Sequence, residues 1–443
     1  MTPTISPVED LTITPPPRFD RSPDVTTIGI LRRISRDYQG GFATRLLTGE
    51  CVAFGSAPAA FTLVLKHPGA LRAMLWSTDK LGLGESYIFD DYDIEGDIVA
   101  FCDWLAHLID FSARQGMYEK LQAAWDLGRL PDRKNPRDPS KAGRPTGGQN
   151  TREGDREGIS YTYDVPGDFY KLFLDRNLAY SCSYFETPDD EFEASQVRKL
   201  HYICRKLRLK PGDRFVDVGC GWGSLLLHAA KHYGVEAVGV TLAREQARWV
   251  ERAVGEAGLT DRVKVVISDY RDFNDPAGFD KAASISMAEH VGVKNLPVYM
   301  GSVFRNLRPG GVYMHHTITL RPNTPYPVWT PFSLKYVFPN GELQTIVQVL
   351  AAAAEAGFEV RDVENLREHY TITLGHWVKR LEANRDKAIA LIGEVSYRIF
   401  RLYIAAATMS FKDGVTALDQ CLLLKPLAGG RSGLPLTRND WYD

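Results

Sequence analysis

The run Gly219-Cys220-Gly221-Trp222-Gly223 carries the first chemical signal in this chain of 443 residues. It follows a short apolar strand pattern, Phe215, Val216 and Val218, without a linker, and leads into an apolar helical pattern from Leu225 to Tyr233. Glycines at alternate positions let a backbone turn tightly and pass close to a ligand with no Cβ in the way. At the carboxyl end of the first strand of a doubly wound sheet, such a loop holds a nucleotide-type cofactor. A dinucleotide fingerprint needs a third small residue one step later, and a phosphate loop needs Gly-Lys-Ser/Thr. Neither is present. Gly-x-Gly-x-Gly fits an uncharged adenosyl tail better than a pyrophosphate, so S-adenosylmethionine is the expected cofactor. The bland alternative is a strand-to-helix turn with no ligand.

The other strand ends should complete the site. Strand two ends in Gly239-Val240-Thr241, with Gln246 about one helical turn beyond. Thr241 stands where many adenosyl sites place an acid for the ribose hydroxyls, and Gln246 is the nearest long hydrogen-bonding side chain. Strand three ends in Ser268-Asp269-Tyr270, an acid and an aromatic that can bond an adenine amino group and cover its face. Strand four ends in Ser284-Ile285-Ser286-Met287-Ala288-Glu289-His290. Glu289 at that mouth is either an acid/base participant or a solvated helix cap. Strand five carries His315 and His316, and alternation puts Met314, His316 and Ile318 on one face. No histidine or cysteine recurs at ligand spacing, so no metal is expected.

The elements that position these residues read as an α/β pattern. Strands are expected at Val235–Thr241, Val263–Asp269, Phe279–Met287, Gly311–Leu320, Phe358–Val363 and Leu418–Lys425, with helices at Ala243–Ala257, Leu296–Leu307 and Glu342–Ala356 and around Trp377 and Tyr403. Such alternation implies a mainly parallel sheet covered on both faces. One insert, Arg321 to Asn340, breaks the rhythm with five prolines and Tyr326, Trp329, Phe332, Tyr336 and Phe338. It is either a binding loop for an apolar ligand or a segment pinned to the core by its rings.

Upstream, residues 1–25 read as a disordered, proline-rich tail, and 26–129 as a small α+β domain. Its elements are a helix from Thr26 to Leu47, strands Glu50–Gly55 and Ala60–Leu65, and helices Ala70–Ser77 and Ile98–His107, the last extendable to Phe111. Residues 130–158 are poor in apolar side chains and rich in glycine and charge, a flexible linker whose basic residues either stay solvated or touch an anionic membrane. The catalytic domain is then 159–443. A net charge of −2 argues against a general nucleic-acid binder. The six cysteines show no Cys-x-x-Cys, so a reducing cytosol is the default. No run of eighteen apolar residues occurs, so no membrane span is expected.

Several further motifs fall in a fixed order. They are Tyr180-Ser181-Cys182-Ser183-Tyr184-Phe185, the glycine loop, Gly239-Val240-Thr241-Leu242, Glu289-His290-Val291-Gly292 and His315-His316-Thr317-Ile318. His369-Tyr370, Thr373-Leu374 and Gln420 follow. From roughly Tyr161 to Pro426 the chain resembles the cyclopropane-fatty-acid synthase and mycolic-acid cyclopropane synthase family of S-adenosylmethionine-dependent enzymes. The resemblance implies a class I (Rossmann-like) methyltransferase fold with a mainly parallel seven-stranded sheet. It implies that the alkene of an unsaturated acyl chain attacks the sulfonium methyl, that the resulting carbocation loses a proton from that methyl, and that a ring closes.

In the family the base is a bound bicarbonate, whose pocket would here be Cys182 and Ile318 (largely backbone), Glu289, His316 and Tyr370. The cofactor set would be Tyr180, Ser181, Gly219, Gly221, Gly223, Thr241, Leu242, Gln246, Asp269, Tyr270 and Ile285. The aromatic insert and the helices after Tyr370 would line the acyl channel. The segment Leu81-Gly82-Leu83-Gly84-Glu85-Ser86-Tyr87 resembles the extra domain of the phospholipid-modifying branch. It implies unsaturated phospholipid acyl chains as substrate, peripheral association with the cytoplasmic membrane face, and leaves a homodimer open. Two departures stand out: Ser286 and Ala288 replace the Gly and Phe of many relatives. A methylene or hydroxyl product in place of the ring therefore stays open.

Overall fold

The computed structural model describes residues 22–76, 81–143, 146–163 and 165–442. The expected tail lies outside the described residues as far as position 21, as does the end of the helix expected to reach Ser77. The first helix, α1 (Pro23–Ile34), opens inside the expected tail, with proline in its first turn and the Ser22 hydroxyl accepting from the Val25 N–H at 3.4 Å.

The helix expected from Thr26 to Leu47 is too long. It ends at Ile34, and Gly41–Arg45 forms strand β1 instead. Gly40 and Gly41 break the helical run, and Phe42 and Thr44 point into the core in strand alternation. Strands β2 (Cys51–Gly55), β3 (Phe61–Leu65) and β4 (Tyr92–Gly96) complete a sheet in the order β2-β1-β3-β4. Helices α2 (Ala70–Leu75) and α3 (Leu81–Ile88) lie between β3 and β4. Helix α4 (Ile98–Arg114) is capped by Asp97, which accepts from Val99 at 2.8 Å. It buries Trp104 against Phe42, ring centroids 4.8 Å apart, and Phe42 stacks on Phe54 and Phe61 at 5.1 Å each. Helix α5 (Met117–Gly128) closes this unit.

The stretch expected as a linker is bonded along its first part. The Asn135 N–H and the Arg137 guanidinium donate to the buried Asp91 carboxylate at 2.7 and 2.6 Å. Its last part opens helix α6 (Arg152–Tyr163), and the short α7 (Gly167–Tyr170) follows.

The large sheet contains β5 (Arg214–Val218), β6 (Glu236–Thr241), β7 (Val263–Ile267), β8 (Phe279–Ile285), β9 (Leu307–Leu320), β10 (Glu359–Asn365) and β11 (Thr416–Leu424). Their order is β10-β11-β9-β8-β5-β6-β7, with β11 alone running against the rest. This is the seven-stranded, mainly parallel α/β architecture expected. Helices α8 (Phe192–Leu207), α9 (Ser224–Tyr233), α10 (Arg244–Glu256), α11 (Leu296–Asn306) and α13 (Ile346–Glu355) accompany it. The short α12 (Thr330–Tyr336) sits inside the aromatic insert. Helices α14 (Arg367–Ala383), α15 (Arg385–Ile392) and α16 (Glu394–Lys412) lie between β10 and β11.

Strand order reverses between β5 and β8, which opens a crevice at their carboxyl ends. The glycine loop leaves β5 there, and Ser286 to His290 leave β8 beside it. Helix α16 joins the two units. Arg398 donates to the Tyr87 carbonyl (2.8 Å) and pairs with Asp90 (2.9 Å) and Asp93 (3.1 Å). Arg401 donates to the Tyr87 hydroxyl (2.8 Å) and the Ile94 carbonyl (3.0 Å) and pairs with Glu382 (2.7 Å). One apolar core runs from Ile30 to Leu418 through both units.

Candidate active site

Two clefts meet at the switch point. The first, about 990 Å³, is floored by the glycine loop. Gly219 and Gly223 have φ of 84° and 83°, in the left-handed region. A Cβ at Gly219 would sit 2.7 Å from the Met287 sulfur, and one at Gly223 2.9 Å from Val250, so both positions require glycine. Nothing lies within 4 Å of where a Gly221 Cβ would be, so the loop backbone there faces open cleft.

Of the residues expected to hold the cofactor, Tyr180, Ser181, Gly219, Gly221, Thr241, Leu242, Gln246, Tyr270 and Ile285 line this cleft. The Thr241 hydroxyl donates to the Gln246 amide oxygen at 3.1 Å, which joins the two as one polar edge. Two expected residues do not reach it. Gly223 is the N-cap of α9, packed on Val250. Asp269 is occupied by Arg271, which donates to it from Nε and Nη2 at 2.8 Å each, and Ser268 takes its place in the wall.

Sequence reasoning missed a charged pair of lining residues. Asp217, inside β5, is 2% exposed with Oδ1 unpartnered, and burial pushes its carboxyl up to about 7. Lys199, from α8, is equally buried, its ammonium pushed down to about 8 by desolvation and donating to the Ser181 hydroxyl at 2.8 Å. The signal was an acid in the middle of Phe-Val-Asp-Val, where a buried strand favours apolar residues. An open glycine cradle beside one buried acid and one buried amine suits an adenosyl group carrying a zwitterionic amino-acid end. The residues fit S-adenosylmethionine.

The second cleft, about 1060 Å³, shares Tyr163, Tyr180, Ser286 and His290 with the first. Its wall is mostly apolar: Tyr326, Pro327, Trp329 and Phe338 of the insert, and Tyr403, Ala406 and Ala407 of α16. Part of the insert thus lines a cleft, and part is pinned to the rest of the fold by its rings. Phe332 and Tyr336 turn away from this wall, Phe332 against Gly84 and the Tyr336 hydroxyl onto Glu85 at 2.8 Å, which pins the insert to α3.

Glu289, Ile318 and Tyr370 line the second cleft. Glu289 Oε1 accepts from the Ile318 N–H at 2.7 Å, while Oε2 is buried without a partner. Desolvation pushes this carboxyl up to about 7. The Ile318 amide therefore acts by holding Glu289. His316 is fully buried, and its protonation can be read from its neighbours. Lys206 donates to Gln420 Oε1 at 3.1 Å, so the Gln420 amide nitrogen faces His316 Nδ1 at 3.1 Å, and the imidazole proton sits on Nε2. Burial holds His316 well below its ordinary value, neutral, with Nε2 unpartnered. Burial likewise keeps the Tyr370 phenol protonated.

Cys182 is fully buried with its thiol on the Ser183 carbonyl at 3.2 Å, and it lines neither cleft. His315 faces away from His316, bonded to Tyr313 at 2.8 Å in a core chain that continues to Tyr299 and Ser284. Among the described residues no group of three or more His, Cys, Asp or Glu is placed to hold a metal ion, and no helix is long and apolar enough to cross a membrane.

Ser286 sits where the clefts join, at φ 55° with its hydroxyl buried and unpartnered. A non-glycine residue there costs about 1 kcal/mol. Ser286→Gly is expected to raise stability by about 1 kcal/mol, because it relieves that conformation and removes an orphan hydroxyl. A denaturant midpoint shifted upward at unchanged slope checks it; a lowered midpoint would mean the hydroxyl has a protein partner.

Comparison with known proteins agrees with this geometry. The sequence profile described as mycolic acid cyclopropane synthetase matches residues 150–421. A probable fatty acid methyltransferase of Pseudomonas putida is 38% identical over 404 residues, covering 90% of this chain and 95% of its own. The cyclopropane-fatty-acyl-phospholipid synthase of Escherichia coli K12 is 33% identical over 390 residues, 88% of this chain and 94% of its own. The mycolic acid cyclopropane synthase CmaA1, solved with SAH and CTAB, superposes with a TM-score of 0.58 at 32% identity, covering 61% of this chain and 98% of its own. The chain belongs to the mycolic acid cyclopropane synthetase family and is an S-adenosylmethionine-dependent methyltransferase.

Proposed function

We propose that the enzyme adds a methylene group from S-adenosylmethionine across the double bond of unsaturated phospholipid acyl chains, forming cyclopropane fatty acids. The observation that carries this reading is the junction of the clefts: a cofactor cradle opens directly into an apolar channel whose wall holds a carboxylate and a phenol. Bound S-adenosylmethionine supplies the electrophilic methyl.

The chain's own residues do the rest. The rings of Trp329, Phe338, Tyr403 and Phe411 pack an acyl chain and exclude water that would quench a cation. Glu289 Oε2 gives a developing positive charge an anionic neighbour and a proton acceptor. Glu289 and the Tyr370 hydroxyl in the cleft wall would offer an acceptor and a donor to a bicarbonate, with the His316 Nε2–H, buried outside that wall, as a further donor; Cys182, which lines neither cleft, stands outside this set. The orphaned Glu289 and His316 atoms fit such a group, which would take the proton from the cation and pass it to Glu289 Oε2. Alignment over 88% of the chain with the phospholipid synthase of E. coli, against 61% with CmaA1, supports a phospholipid substrate over a mycolate.

A second reading, a methyl- or methylene-branched chain, is favoured by the Pseudomonas relative's description as a fatty acid methyltransferase and by Ala288. Mass spectrometry of unsaturated phospholipid vesicles incubated with enzyme and S-adenosylmethionine tests the shared step. Acyl chains heavier by one CH₂ support it, and unchanged chains contradict it.

A further inference from the structure

Helix α5 turns an apolar face to solvent. Met117, Tyr118, Leu121 and Trp125 are 75, 76, 63 and 72% exposed. At the helical repeat they fall within one arc of about 100°. The opposite face docks inward, with Leu127 buried and Asp126 paired with Arg33 of α1 at 2.6 Å. Trp76, 49% exposed, extends the patch: a Cβ on Gly128 would touch its ring at 3.9 Å. Basic side chains lie on the helix and at its ends: Arg114 precedes it, Lys120 lies on it and Arg129 follows it, all exposed and, among the described residues, without a carboxylate partner.

Two tryptophans, a tyrosine, a leucine and a methionine in one exposed surface have no role in folding this unit, since their side chains leave little of their area in the core. Tryptophan and tyrosine favour the boundary between lipid and water, and leucine and methionine the acyl layer beneath it. An apolar helix face edged by arginine and lysine is the composition of a helix lying in a membrane interface. Each basic group near an anionic surface adds about 1 kcal/mol. A second copy fits less well, because a symmetric contact would bring Lys120 and Arg129 of both copies together.

We propose that α5, together with Trp76, is the surface by which this enzyme docks on an anionic phospholipid bilayer. The inference rests on the function proposed above, whose substrate lies in that bilayer. The patch is linked to the acyl cleft by a short series of contacts. Helix α5 packs on α2, α2 on α3, and Gly84 of α3 abuts Phe332 of the insert, whose neighbours Trp329 and Leu334 line the cleft.

Co-sedimentation of the full chain with unsaturated phosphatidylglycerol–phosphatidylethanolamine vesicles tests it. The double variant Leu121→Ser/Trp125→Ser is expected to bind at least about tenfold more weakly, since each buried side chain contributes more than about 1.4 kcal/mol. Its turnover of the same lipids dispersed in detergent micelles is expected to match that of the unaltered enzyme. Lys120→Glu/Arg129→Glu is expected to lose affinity for these anionic vesicles at low salt while binding pure phosphatidylcholine vesicles unchanged. Undiminished vesicle binding by the apolar double variant overturns the proposal, and if its oligomeric state changes at the same time, the face belongs to a second copy. An unaltered enzyme that binds vesicles but modifies no lipid overturns the proposed chemistry and leaves the docking surface standing.

Discussion

Glu289→Gln is expected to lower turnover by at least about a hundredfold while S-adenosylmethionine affinity stays within about twofold. The two effects separate because Glu289 borders the apolar cleft and not the cofactor cradle. Glutamine keeps an oxygen for the Ile318 amide, so the local backbone is held as before. What it lacks is a second oxygen that can ionise and take a proton. The same group sets the pH dependence. Burial raises the carboxyl to about 7, and only its ionised form accepts a proton, so turnover is expected to rise with pH through that region. The limb should vanish in the variant.

Stability moves the other way. A carboxyl whose folded pKa lies above its unfolded value is ionised at a cost to the fold. Stability therefore falls as pH rises from the ordinary carboxylate range through about 7, then levels. Glu289→Gln should flatten that fall. Steady-state rates and chemical denaturation across this range measure both trends, and a variant with full activity would remove Glu289 from the chemistry.

Arg401→Ala is expected to destabilise the protein by about 3 kcal/mol or more. The guanidinium is 7% exposed and joins α16 to the N-terminal unit. Its loss strands the Tyr87 hydroxyl, the Ile94 and Gly96 carbonyls and the Glu382 carboxylate together. Arg385→Ala provides the contrast. Its pair with Glu394 is half exposed on both sides, so the change should stay within about 0.5 kcal/mol. Thermal and denaturant unfolding decide between them. Equal effects would mean the two units are held by the apolar core alone.

The site's backbone was legible in the sequence because strand ends announce themselves. The glycine loop, Thr241, Glu289 and the facing of His316 against His315 all follow from apolar runs of period two that stop at turn residues. What stayed hidden depends on partners distant in sequence. Asp217 reads as one polar letter in an apolar strand, and its use emerges only when Lys199 is folded opposite it in the cleft wall. Asp269 looks free until Arg271, two residues on, folds back over it. The strand Gly41–Arg45 escaped because Phe42 and Thr44 also extend a helical pattern from α1, and its pairing with β2 and β3 decided the outcome. The bond between the units needed Arg398 and Arg401 to meet residues some three hundred positions away.

Deuterium NMR of phospholipid treated with enzyme and S-adenosylmethionine deuterated in the transferred methyl tests ring closure most directly. Ring closure must expel one deuteron from that methyl, because the base removes it from the carbocation. High-field deuterium signals from a ring carbon bearing two deuterons are the expected result. A methyl branch that keeps all three deuterons beside a retained double bond or a hydroxyl, or vinylidene signals, would contradict it and assign the carbocation a different fate in this pocket.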